Sequence, residues 1–425
     1  MGRPVGPLTG WRVRCPPTHE RALVEAARLL AALGARLEPT ADHGVPVLSV
    51  RPTPDFGWGT TSVRLSEPVS ALPGLPAAVA FRTAGELLVL AALAAAPYGG
   101  EVVVDPVDVT LLLLLPTMLS ASYDAPPNAR PGPLPRPDGW LSAELGAPGD
   151  VETFARMLAT LPADAGVSEV AAEAQVWRLP VLPYRLPASK PPMVAQHAHM
   201  AVTTPTPELV GLAGSPTHPK RSWRGGPHAA SRDREPLAGV RVLDLTIMWA
   251  GPLATWLLAG LGASVTTIEP TVRPDGTRAT RGGGIYPHGR LVPGGESRSA
   301  MFTALARGKR RWDLDLRSER GARALRHAVV NADVVVDNLS PRARQQLGVT
   351  AATLCRANPD LLTVTVPAFG PEDPRRGWVA YGGQVHADSG LAWGDRPPSP
   401  AQVSVVPPLP AATAYVDPMT GVLVA

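Results

Sequence analysis

The sequence predicts an α/β fold, a Rossmann-like parallel sheet with crossover helices, joined to a smaller diverged α+β domain. Three observations carry that prediction. The second half of the chain alternates short β-rich runs with helical runs, the pattern that favours parallel strands joined by right-handed crossovers. The first half begins in the same rhythm. The 425 residues are 45% apolar, enough to bury the cores of two or three domains.

In chain order, Trp11 to Arg14 reads as a strand and Glu20 to Leu33 as a helix, followed by Gly34-Ala35-Arg36-Leu37-Glu38-Pro39. Between residues 213 and 235 the composition turns to Pro, Gly, Ser, His and Arg without apolar periodicity, as in Ser215-Pro216-Thr217-His218-Pro219, which is a linker signature. It separates residues 1–212 from residues 236–425. Val240 to Leu245 is β-rich, Pro252 to Leu261 is helical, and Ser264 to Ile268 is a second strand. A helix from Ser318 to Asn331, the strand Val334-Val335-Val336, a short helix and the strand Leu361 to Val366 continue the alternation. Leu33-Gly34-Ala35 leading to Glu38-Pro39 is echoed by Leu261-Gly262-Ala263 leading to Glu269-Pro270. The two halves read as divergent copies of one unit.

Composition excludes several classes of function. Only Lys190, Lys220 and Lys309 are lysines among 40 basic residues, the net charge is +4, and no dense basic tract with interleaved aromatics occurs. A nucleic-acid partner is therefore not expected, whereas a phosphate-bearing small ligand is compatible. Cys15 and Cys355 lie far apart and outside any metal-ligand spacing, so no metal is expected and a reducing cytoplasm fits. The apolar runs Leu87 to Ala96 and Val109 to Pro116 are too short to span a bilayer. Neither Leu261-Gly262-Ala263 nor Arg281-Gly282-Gly283-Gly284 supplies the glycine fingerprint of dinucleotide binding.

From residue 236 onward the chain carries an ordered series of landmarks. They are Pro236-Leu237-Ala238-Gly239-Val240-Arg241-Val242-Leu243-Asp244-Leu245-Thr246, Ala250-Gly251-Pro252, Leu261-Gly262-Ala263, Ile268-Glu269-Pro270, Arg307-Gly308-Lys309-Arg310 with Asp313-Leu314-Asp315-Leu316, and Ala332-Asp333-Val334-Val335-Val336-Asp337-Asn338. Leu347-Gly348, Asn358-Pro359, Phe369-Gly370-Pro371, Ser389-Gly390 and Asp417-Pro418-Met419-Thr420-Gly421 follow. The series resembles the class III CoA-transferases of CaiB/BaiF type, relatives of formyl-CoA transferase, the carnitine CoA-transferases and α-methylacyl-CoA racemase.

The resemblance implies an enzyme that moves CoA from an acyl-CoA to a carboxylic acid. In the family the aspartate of the last landmark attacks the thioester, forming a mixed anhydride and then an aspartyl-CoA thioester. Asp417 matches it, and such chemistry needs an ionised carboxylate and backbone donors for the oxyanion. From the residues alone, Asp417-Pro418 reads as an N-cap and a first-turn proline. Ala250, Leu314, Arg317, Asn338, Leu339 and Ser340 fall at the family's CoA-contacting positions, with Arg317 suited to bind phosphate bidentately. Trp249, Pro270 and Gln346 stand where some relatives carry polar or basic contacts. Tyr381, assigned to the same CoA site, replaces the racemase branch's catalytic histidine. Phenols, with a pKa of about 10, are poor general bases, so the resemblance favours transfer over racemisation. His386 could face the site but reads more simply as a core or loop histidine, and Asp388 stands where relatives are apolar. CoA and acyl-CoA are implied as substrates, with no permanently bound cofactor, and a homodimer or a paralogous subunit as partner.

After its nucleophile the family continues into an alanine- and leucine-rich helix, a Gly-rich turn and a strand, which residues 418–425 are too few to hold. A similar stretch stands upstream, from Thr83-Ala84-Gly85-Glu86 through Leu93, Tyr98-Gly99-Gly100 and Val102-Val103-Val104 to Val109–Leu115. Four residues before Gly85, Phe81 occupies the nucleophile's place, so the first copy cannot attack. Asp138-Gly139-Trp140-Leu141 and Leu179-Pro180-Val181-Leu182-Pro183 resemble segments of the family's small domain. Two expectations follow: the first copy complements the second as one catalytic unit, or the chain is a catalytically inactive CoA-fold protein.

Overall fold

The computed structural model of the chain describes residues 12–15, 21–32, 35–39, 48–51, 61–65, 77–95, 100–104, 113, 115–116, 119, 132–146, 149–187, 201–203, 235–271, 274–279, 284–393, 397–408 and 415–425. It is a mixed α/β structure containing a parallel sheet flanked by helices. The expected linker, Glu235 apart, and most of the stretch Val109–Leu115 lie outside the described residues.

The first half opens with β1 (Arg12–Cys15), α1 (Arg21–Ala32), β2 (Arg36–Pro39), β3 (Leu48–Arg51), β4 (Thr61–Leu65), α2 (Ala77–Ala95) and β5 (Gly100–Val104). These strands form one sheet in the order β2-β1-β3-β4-β5. The β1–β2 and β4–β5 pairs are parallel as the α/β rhythm predicts, but β3 runs antiparallel to both neighbours, so this sheet is mixed. A smaller unit follows: β6 (Leu134–Arg136), β7 (Gly139–Ala143), α3 (Asp150–Leu158), α4 (Val167–Val176) and β8 (Val181–Pro183), with β6-β7-β8 antiparallel. Met157, Val170, Ala174 and Leu179 build its core beneath β7 and β8.

The second half supplies β10 (Arg241–Leu245), reached after β9 (Ala201–Thr203), then α5 (Ala250–Gly260), β11 (Ser264–Pro270), α6 (Ala300–Ala306), β12 (Arg310–Leu314) and α7 (Glu319–Val330). It continues through β13 (Val334–Asp337), α8 (Pro341–Leu347), α9 (Ala351–Ala357), β14 (Leu362–Thr365), α10 (Gly382–Asp388) and α11 (Val416–Val424). The strands lie in the order β12-β11-β10-β13-β14-β9, five of them parallel and β9 antiparallel at the edge. Chain order reverses between β10 and β13. Ser318 caps α7 by accepting from the Gly321 N–H at 3.0 Å, and Leu325 and Val329 turn its apolar stripe onto the sheet. The edge strand β12 is largely exposed and carries no apolar run.

β9 belongs by sequence to the first half yet extends the sheet of the second. The halves also share a core. Leu23 and Leu30 of α1, Leu88 of α2, Leu253 of α5, and Tyr415 and Val422 around α11 belong to one buried apolar cluster. Two glycines allow these helices to cross closely. A Cβ on Gly85 would lie 2.9 Å from Glu25 Cβ and 3.0 Å from the Ala22 carbonyl, and one on Gly421 would lie 2.9 Å from the Ala250 carbonyl. The α1–α2 crossing in the first half thus parallels the α5–α11 crossing in the second. Phe81, at the head of the first of these motifs, falls within α2.

Candidate functional site

The carboxyl ends of β10 and β13 are where neighbouring crossovers diverge, and ligands of open α/β sheets bind at such a point. Asn338, just past β13, clasps the loop after β10: its Oδ1 accepts from the Ile247 N–H at 3.0 Å and its Nδ2 donates to the Ile247 carbonyl at 2.8 Å. The next residue, Met248, has φ of 70°. For a side chain without a local hydrogen-bonding group this left-handed conformation is strained. Asp275 holds it there by accepting from the Met248 N–H at 2.9 Å, while its other oxygen takes the Thr277 N–H and hydroxyl at 2.8 and 2.6 Å. Burial pushes the Asp275 carboxyl above its ordinary value, against the pull of those donors. The sequence signal for this loop was the Asp275-Gly276 pair, which pattern reasoning passed over.

The strained loop delivers α5, whose first turn is fixed from below. Lys309 Nζ donates to Asp244 Oδ2 at 3.1 Å, the Pro252 carbonyl at 2.7 Å and Thr255 Oγ1 at 2.7 Å, and Thr255 Oγ1 donates to Asp244 Oδ2 at 2.6 Å. Both charges are buried, a costly arrangement unless paired and fully hydrogen-bonded, as here. Burial lowers the Lys309 pKa and Asp244 opposes the shift. Beside this network Glu269 takes Arg278 bidentately at 2.7 Å through both oxygens, and the guanidinium stacks 3.6 Å over the Phe302 ring. Asp244, Glu269 and Lys309, which stand among the sequence landmarks, hold the scaffold through these pairs.

The residues expected at a CoA site distribute as follows. Ala250 begins α5, and Asn338, Leu339 and Ser340 follow β13, so these four gather where the sheet's order reverses. The Leu339 N–H donates to Asp337 Oδ1 at 3.1 Å, and Ser340 caps α8 by accepting from the Ala343 N–H at 3.2 Å. Burial raises the Asp337 pKa, opposed by Arg344 and by the Thr365 hydroxyl bonded to it at 2.9 Å. Leu314 ends β12 and Arg317 lies just beyond it, two strands away at the same end of the sheet, with the Arg317 side chain exposed. Tyr381 precedes α10, where its N–H donates to Gln384 Oε1 at 3.0 Å.

Asp417 is not an N-cap. The cap position of α11 is Tyr415, and Asp417 is the second residue of the helix with Pro418 the third. Proline needs no N–H partner anywhere in the first turn, so the helix begins earlier than the Asp-Pro pair suggests. The carboxylate still lies in the first turn, where the helix dipole favours a negative charge. Asp417 is half-buried, and α11 packs on α5 and on α2 from the first half. Among the other expectations, His386 is a buried residue of α10. Asp388 binds Arg375 Nη1 at 2.7 Å and Arg185 Nε at 2.8 Å, which accounts for a carboxylate where relatives are apolar. Among the described residues no group of three or more His, Cys, Asp or Glu side chains could hold a metal ion, and no helix is long and apolar enough to cross a membrane.

The second half of the chain is similar to known proteins. The pattern of CoA-transferase family III matches residues 237–425. The mouse succinyl-CoA:glutarate CoA-transferase is 30% identical over 181 residues, covering 43% of this chain and 38% of the relative. The succinyl-CoA:mesaconate CoA-transferase of Haloarcula hispanica is 36% identical over 154 residues, covering 36% of each chain. The formyl-CoA:oxalate CoA-transferase of Streptomyces coelicolor is 34% identical over 150 residues, covering 34% of this chain and 32% of the relative. Among solved structures, a CAIB/BAIF family protein from Brucella suis is 29% identical, covering 38% of this chain and 40% of that one, with a TM-score of 0.32. The chain spans well under half the length of each of these relatives. Over residues 237–425 the chain is similar to CoA-transferase family III.

Proposed function

We propose that the protein moves CoA from an acyl-CoA to a carboxylic acid, with Asp417 as the covalent nucleophile. An Asp417 oxygen attacks the thioester carbonyl, the C–S bond breaks, and CoA leaves as thiolate with the acyl group held as a mixed anhydride. The thiolate then attacks the aspartyl carbonyl, releasing the donor acid and leaving an aspartyl-CoA thioester. The acceptor carboxylate repeats the two steps in reverse and regenerates Asp417. CoA is substrate here, not a resident cofactor. The sheet is read as Rossmann-like, with Ala250, Asn338, Leu339 and Ser340 along the CoA path and Arg317 reaching phosphate from the exposed rim.

The observation that carries this reading is the placing of Asp417, in the first turn of α11 between α5 of its own half and α2 of the other. The first half, residues 1–212, then completes the unit behind the nucleophile of residues 236–425. A cytoplasmic setting and a homodimer or paralogous subunit accompany the reading as proposals. The test is incubation with a panel of acyl-CoA thioesters, trapping with hydroxylamine and mass spectrometry. Modification at Asp417 and loss of CoA release in Asp417→Ala are expected. An unmodified Asp417 throughout the panel overturns the reading.

Phe81 at the nucleophile's place in the first copy, and Trp249, Pro270 and Gln346 at contact positions, favour a second reading: an inactive CoA-fold protein. Binding of acyl-CoA without turnover, equal in the parent and in Asp417→Ala, would select it. Racemisation of a 2-methylacyl-CoA without transfer would select a racemase-like enzyme, against which Tyr381 argues.

A further inference from the structure

We propose that His386 is a positioning residue for Asp417, holding the start of α11 through Tyr415; this rests on the reading of Asp417 as nucleophile. His386 and Tyr415 are both buried, and their rings meet edge to face with centroids 5.9 Å apart and planes at 61°. Aromatic rings prefer this arrangement because the positive edge of one meets the negative face of the other. Tyr415 is the residue from which α11 departs, and its carbonyl accepts from the Met419 N–H at 3.3 Å, closing the turn that contains Asp417. A helix of nine residues takes its placement from packing, since nucleation is unfavourable. The close crossing of Gly421 on α5 anchors the second turn. The first turn, with Asp417, is anchored by Tyr415.

α10, which carries His386, is itself fastened to the first half. Gln384 Nε2 donates to Ser142 Oγ at 3.4 Å, the Arg185 N–H donates to the Ala387 carbonyl at 3.1 Å, and Asp388 pairs with Arg185 at 2.8 Å. The His386 ring, packed on Tyr415, thus links the three-stranded unit seated on α10 to the segment bearing the carboxylate.

The test compares His386→Ala and His386→Phe in the full chain, by steady-state kinetics with an acyl-CoA and by hydrogen exchange of α11 amides. The alanine variant is expected to lose roughly 10- to 100-fold in kcat with KM nearly unchanged, the signature of a misplaced reacting group. Exchange at Met419, Thr420 and Gly421 should quicken, and phenylalanine, which keeps an aromatic edge against Tyr415, should restore both readouts. A role confined to filling the core would lower thermal stability while leaving kcat and α11 exchange at parental values, and that result overturns the proposal. So does a folded phenylalanine variant as slow as the alanine one. Should the alanine variant not fold, Tyr415→Leu removes the same contact from the other ring and is read the same way. If the parent shows no CoA transfer, the nucleophile reading falls, and exchange alone decides: faster α11 exchange rescued by phenylalanine supports positioning, and unchanged exchange refutes it.

Discussion

Glu86 sits on α2 inside the core that the two halves share. Its Oε1 accepts from Arg82 Nε at 2.5 Å, but Glu86 Oε2, Arg82 Nη2 and Thr83 Oγ1 are buried without a hydrogen-bond partner among the described residues. Desolvation outweighs the attraction of Arg82, and with some help from Glu25 the Glu86 carboxyl is pushed up to about 7 from an ordinary 4.5. A carboxyl whose pKa is higher folded than unfolded contributes stability that is complete below the unfolded pKa and is lost as pH rises through the folded one. The window is therefore pH 4.5 to 7. Across it the parent should lose on the order of 3 kcal/mol relative to a Glu86→Gln variant, whose amide does not titrate. Urea unfolding of both proteins at pH 5 and pH 8 measures this. Equal differences between the two proteins at both pH values would mean that Glu86 is ionised throughout.

The crossing of α5 and α11 depends on a missing side chain. A Cβ on Gly421 would stand 2.8 Å from Leu253 Cδ2, 2.9 Å from the Ala250 carbonyl and 3.0 Å from Leu253 Cβ, and two of these are not the far end of a flexible group. Gly421→Ala is expected to destabilise by about 1–3 kcal/mol through overpacking, although alanine in a free helix gains up to about 1 kcal/mol over glycine. Gly260, near the end of α5, meets nothing within 4 Å, so Gly260→Ala should move the thermal midpoint the opposite way. Calorimetry of the two variants checks the pair, and a stabilising Gly421→Ala would mean the helices do not cross so closely. Elements with strong local signals were legible in the sequence. β10, β11, β13 and β14 are apolar β-rich runs, and α5 and α7 follow their periodicity within two residues. β12 was not, because an edge strand reading Arg310-Arg311-Trp312-Asp313-Leu314 buries little and needs no apolar alternation. The start of α11 was misread because an Asp-Pro pair fits both a cap and a first turn. Ala250, Leu314 and Asn338 were legible as landmarks, whereas the Asn338–Ile247 clasp joins residues 91 apart, and the strained Met248 depends on tertiary contact that no local pattern encodes.

At the scale of the whole molecule the halves interleave. β9 crosses over to pair with β14. Gln175 of α4 accepts from the Val379 N–H at 2.6 Å and donates to its carbonyl at 3.1 Å, and Trp393 Nε1 donates to the Arg185 carbonyl at 2.8 Å. The second half nevertheless has a core of its own, in which, among the described residues, Leu243, Ile268, Leu325, Val335, Leu354 and Leu361 meet without any residue of the first half. Expressed separately, residues 231–425 should therefore form the parallel sheet while α11, deprived of α2, frays, because so short a helix lives on packing. Circular dichroism should report sheet and helix in this fragment, hydrogen exchange should find the α11 amides unprotected, and neither CoA binding nor modification of Asp417 should occur. Adding residues 1–230 should restore all three, with a midpoint that depends on the concentration of both fragments, as mass action requires when association completes a fold. A lone second fragment that binds CoA and is modified at Asp417 would refute complementation, since the carboxylate would then be held by its own half.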